Sequence, residues 1–208
     1  ITGTLENVHK LLTVAAYTTP LTAAIADKAY VVTDTNLDAT KFIAVDAANT
    51  SGTVTTSATT LTGNTTQLKA LYANANNRFV GISGTANLVT TETTVAAADI
   101  ETLVGNVSSA TGGATSGETT GTITLGTVTT TVSGAEAKVL LAIEGNSPTV
   151  QDPVTDTAAA RVIGLGTKNI TVTGGAVSAG KEAILSAATT GVVTADLGTV
   201  GTGLLSAY

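Results

Sequence analysis

Hydrophobic positions along the chain alternate between two spacings. Leu5, Val8 and Leu12 recur at helical intervals, as do Leu68, Leu71 and Tyr72, and again Ile100, Leu103 and Val104. Between these lie short runs of β-branched residues in strict alternation, such as Thr122-Ile123-Thr124-Leu125 and Asn169-Ile170-Thr171-Val172-Thr173. The first spacing predicts amphipathic helices and the second half-buried strands. Helices are expected over 5–12, 39–47, 67–75, 94–104, 137–143 and 179–187, with Gly105 as a terminator of the fourth. Strands are expected over 30–33, 53–56, 79–82, 88–91, 122–125, 128–131, 169–173 and 191–194.

A short motif recurs ahead of three of these helices. Ile1-Thr2-Gly3, Leu61-Thr62-Gly63 and Val132-Ser133-Gly134 each join an aliphatic residue, a small hydroxyl residue and glycine. Leu61 to Thr66 reads as a turn and helix cap, because Asn64 and the threonines offer oxygens to free helix amides. The spacing of about 60 to 70 residues divides the chain into repeats over 1–60, 61–131 and 132–200, with a truncated fourth start over 201–208. The second repeat carries an insertion at 108–120 and the third one at 146–157. Thr50-Ser51-Gly52-Thr53-Val54-Thr55 and Thr189-Thr190-Gly191-Val192-Val193-Thr194 also match each other, each just after a helix. The order within a unit reads turn, helix, strand, helix, strand, and such alternation favours parallel strands. The expected fold is a β-rich α/β solenoid-like stack. The alternative is a threonine-rich β-sandwich whose apparent helices are loops.

Composition narrows the function classes. The core residues are small aliphatics, with no Trp, Met or Cys and two Phe, which suits thin repeated layers. The net charge is −6, and the nine basic residues are scattered, so the basic stripe that nucleic acid binding needs is missing. No apolar run reaches the length of a membrane span, so membrane insertion is not expected. Zero cysteine excludes disulfides and thiolate metal sites. The chain opens at Ile1 with no leader-like segment, which reads as a processed product or a piece of a longer one.

Taken together, the motifs Thr-Gly-x-x-x-x-Leu, Val-Thr-x-Thr/Glu, Ala-x-x-x-x-Leu and Thr-x-Gly-x-Val-Thr resemble repeats of very large secreted bacterial surface proteins, S-layer-like or adhesin-like, of the type I secretion class. The likeness spans nearly the whole chain. It implies a passive extracellular or cell-surface building element. The glycine–aspartate nonapeptide that binds calcium in many such proteins is absent here, so calcium dependence does not carry over.

Individual residues supply few candidates for chemistry. His9 is the only histidine and has no second histidine or cysteine to complete a triad or zinc site. Asp34, Asn36 and Asp38 around one turn, and Asp152 and Asp156 flanking Pro153, are the candidate calcium ligands, with helix and turn capping as the competing reading. Gly164-Leu165-Gly166 reads as a turn, since no lysine follows in phosphate-loop register. Threonine rows such as Thr33/Thr35, Thr127/Thr129/Thr131 and Thr171/Thr173 alternate as on a solvated or water-ordering sheet face. Asn49, Asn64, Asn106 and Asn169 stand in glycan acceptor patterns. No catalytic residue and no cofactor is expected. The apolar starts and ends of the repeats, Ile1, Leu5, Val8 and Leu12 against Leu204, Leu205 and Tyr208, are the expected contact between copies. The chain is thus expected to be a structural extracellular protein that polymerises head-to-tail into a filament or surface layer. The alternatives are a non-catalytic spacer of a large adhesin, or a calcium-, sugar- or ice-binding module.

Overall fold

A computed structural model describes residues 1–14, 25, 27–73, 79–82, 86–109, 121–146 and 162–196. Helices and parallel strands alternate to form three parallel sheets, an α/β arrangement with no closed barrel. In chain order the elements are β1 (Thr2–Gly3), α1 (Leu5–Thr13), β2 (Tyr30–Val32), β3 (Asn36–Asp38), α2 (Ala39–Ala48), β4 (Val54–Thr56), β5 (Thr60–Gly63) and α3 (Thr65–Ala73). There follow β6 (Phe79–Val80), β7 (Asn87–Thr90), β8 (Thr94–Ala96), α4 (Ala97–Ser109), β9 (Thr122–Thr124), β10 (Thr131–Ala135), α5 (Glu136–Asn146), β11 (Val162–Ile163), β12 (Asn169–Ala176), α6 (Ala179–Ala188) and β13 (Val193–Asp196).

The first sheet has the order β1-β2-β4-β6, the central sheet β3-β5-β7-β9-β11 and the last sheet β8-β10-β12-β13. Most strands hold only two to four residues, so each presents about one side chain inward. In the central sheet those side chains stand in register: Leu37 on Leu61, Leu61 on Leu88, Leu88 on Ile123, and Ile123 on Val162. All five are essentially inaccessible to solvent. The last sheet repeats the arrangement with Val95, Val132, Ile170 and Val193. The first sheet uses Tyr30, Val54 and Phe79, and Phe79 stacks on Phe42 of α2 with ring centroids 4.9 Å apart.

The helices lie in one row, each packed on the next from α1 to α6. They turn Leu5, Val8, Phe42, Val45, Leu68, Leu71, Ile100, Leu103, Val139 and Leu185 towards the sheets. Burying each large aliphatic side chain is worth about 1.5–3 kcal/mol, so this strip holds the helices to the sheets. Two strands separate most neighbouring helices. Between α3 and α4 the chain instead runs through β6, β7 and β8, one strand in each sheet. Here the first sheet stops and the last sheet begins, while the central sheet passes through.

All six expected helices form, so the sandwich alternative, with loops in their place, does not. Several boundaries differ: the expected strand over 128–131 begins only at Thr131, after a turn at Thr127 and Val128, and the helix expected over 137–143 runs from Glu136 to Asn146. Thr94 to Ala96 is a strand rather than the first turn of a helix, because Val95 alone points inward between two exposed neighbours. Helix α4 also runs through Gly105 to Ser109. A glycine stops a helix by taking a left-handed conformation, and among the described glycines only 81, 164, 174 and 175 have positive φ. The strands just before helices, β1, β3, β5 and β8, escape the sequence pattern. A run with one inward residue is too short to show alternation. The three copies of the aliphatic-hydroxyl-glycine motif fall in β1, β5 and β10, one in each sheet, and each leads into a helix.

The matched segments around Gly52 and Gly191 share one geometry. A Cβ on Gly52 would lie 1.9 Å from the Lys28 carbonyl oxygen, and one on Gly191 would lie 2.4 Å from that of Lys168. Buried side chains lock both turns. Asn49 exchanges two hydrogen bonds with the Gly52 backbone, at 2.8 and 3.1 Å. Thr189 donates to the Lys168 carbonyl at 2.6 Å and accepts from the Gly191 amide at 2.9 Å. Gly52→Ala should therefore destabilise the fold by about 1–3 kcal/mol through overpacking. Gly180→Ala, on helix α6 with nothing within 4 Å of the new methyl, should stabilise it by roughly 0.5–1 kcal/mol. Urea denaturation of both variants measures the contrast, and equal midpoints would show that the Gly52 turn relaxes freely.

Candidate functional site

The carboxylates singled out as calcium candidates stand at helix starts. Asp34, in the turn after β2, accepts from the Leu5 amide at 2.5 Å and so caps α1 from 29 residues away. Asp38 is the N-cap of α2 and accepts from the Thr40 and Lys41 amides at 2.8 and 3.3 Å. Both positions place negative charge at the positive end of a helix dipole. Asn36 is exposed on β3, at the edge of the central sheet. Asp152 and Asp156 lie outside the described residues. Among the described residues no group of three or more His, Asp or Glu side chains is placed to hold a metal ion.

Of the residues expected to join copies, Leu5, Val8 and Leu12 are buried in the chain's own core, while Ile1 is about half exposed. Leu204, Leu205 and Tyr208 lie outside the described residues. His9 sits half-buried on α1, and its carbonyl accepts from Thr13 Oγ1 at 2.7 Å. Gly164 adopts φ +89 at the start of a short 3-10 turn, as the turn reading of Gly164-Leu165-Gly166 expects. Asn49 is fully buried, which removes it as a surface glycan acceptor. Asn64 Oδ1 instead caps α3, in a reciprocal pair of 2.9 Å bonds with Gln67.

The threonine rows divide differently from the sequence pattern. Thr129 is buried beneath its neighbours, so Thr127, Thr129 and Thr131 do not share an exposed face. Its hydroxyl meets Thr90 Oγ1 at 2.8 Å and donates to the Glu92 carbonyl at 2.8 Å, while the Gly126 amide reaches Thr90 Oγ1. These hydroxyls satisfy backbone groups in the turns between the central and last sheets. The outward rows of the central sheet are formed by Asn36, Thr60, Asn87 and Thr122, and by Asp38, Thr62, Val89 and Thr124. Asn87 Oδ1 accepts from both Thr122 and Thr124 at 2.8 Å, which ties two strands together on the solvent side.

Sequence reasoning missed a set of polar contacts along the helix row. The third residue of every helix from α2 to α6 reaches back to the helix before it. Lys41 pairs with Glu6 at 2.6 Å, and Gln67 donates to Thr40 at 2.8 Å. Asp99 meets Lys69 at 2.5 Å and accepts from Thr65 Oγ1 at 2.9 Å. Lys138 pairs with Glu101 at 2.6 Å, and Lys181 pairs with Glu136. The signal was present in the chain, as a lysine at the third position of α2, α5 and α6. Its partners were not, because they come from another helix. Glu92 was missed in the same way: it accepts from the first amide of α3, Thr65, just as Asp34 does from the first amide of α1.

Comparison of the chain with known protein families, with curated proteins and with solved structures finds no match in any of the three.

Asp38→Ala should cost about 1 kcal/mol of stability, the usual loss of an N-cap, and by the same amount in calcium as in chelator. A calcium-dependent difference in melting temperature would return Asp38 to the role of metal ligand. Hydrogen bonding to Lys41 and then to Lys10 pulls the Glu6 carboxyl from 4.5 down to about 2. Its contribution is whole above about pH 4.5 and disappears as the pH falls to about 2, since protonation then breaks the pairs. The gap in melting temperature between the parent chain and Glu6→Gln should accordingly be constant from pH 7 to 5 and close by pH 2. A gap independent of pH would mean that the ion pairs contribute nothing.

Proposed function

We propose that the chain is a non-enzymatic structural protein of the cell surface or extracellular space, a solenoid-like stack that assembles head-to-tail into a filament or layer. The observation that carries this reading is how the fold grows. Each further helix adds to one end of a single row through its third residue, and strands add in parallel to the edges of sheets that do not close. A structure built by addition has no intrinsic stopping point, and a contact that repeats without closing generates a polymer. The absence of cysteine and the low charge suit an exported, repetitive material. The use of Asp34 and Asp38 as helix caps favours a calcium-independent element.

A second reading has its own support. The unit β1-α1-β2, two adjacent parallel strands with a helix between them, recurs as β12-α6-β13. Recurrence of one unit at two distant points suits a spacer that continues within a longer adhesin and holds a binding tip away from the cell.

Negative-stain electron microscopy of the purified chain, with and without calcium chelation, separates the two. Regular fibres or sheets are expected from the self-assembling element, and uniform monomers in both conditions would overturn it in favour of the spacer. Deleting residues 201–208 should leave a folded monomer that no longer polymerises. Normal polymers from the truncated chain would remove that segment from the contact.

A further inference from the structure

We draw no further inference here: the strongest candidate, the outer face of α6 where Gly180, Ala183 and Ala187 are exposed, is a stripe of small residues unpartnered among the described residues, and nothing in the structure shows what covers it.

Discussion

The fold depends on the register of inward aliphatic side chains across strands too short to be stable alone. Leu37, Leu61, Leu88, Ile123 and Val162 each come from a separate strand, and each stacks on its neighbour in the row. A strand with one inward residue gains little from its own hydrophobic content. It gains from being placed on a neighbour whose inward residue is already dry. Parallel pairing needs a crossover of a dozen or more residues, and the helices supply it in most turns. The row of helices is therefore the means by which the chain returns to the next strand, as well as the cover over the core.

Tight stacking brings backbone against backbone, which sets the second layer of constraints. Gly52 and Gly191 sit where the carbonyl of Lys28 or Lys168, just ahead of an earlier strand, leaves no space for a side chain. Buried groups in these turns are paired by Asn49, Thr90, Thr129 and Thr189. Each would cost about 1–3 kcal/mol if left without a partner. This demand accounts for the buried threonines, and the preference of β-branched residues for strands suits those on the sheets. Surface ion pairs along the helices add little individually.

The exchange of sheets between α3 and α4 gives the molecule two dissimilar ends on one continuous central sheet. The first sheet carries outward Val31 and Val80, whereas the last sheet turns out Thr94, Thr131, Ser133 and Asn169. A head-to-tail polymer would present these two surfaces alternately along its length, and a spacer would present each once per unit.

Helix positions were legible in the chain because a helix of nine or more residues displays its own period: Leu5, Val8 and Leu12 need no other part of the protein to be recognised. The α/β class followed from the alternation of such segments with β-branched runs. Strands β1, β3 and β8 stand directly ahead of helices, where their residues read as turns or first helical turns, and emerged only when their partners were in place. The same holds for the acids. Asp34 looks like a turn residue or a metal ligand until Leu5, 29 residues away, brings it an unpaired amide. The sequence by itself determined which segments are helical and which faces are apolar, since both arise from local spacing. Tertiary structure alone decided the strand register, the exchange of sheets and the partner of each charge, because these depend on residues brought together from separate turns of the chain.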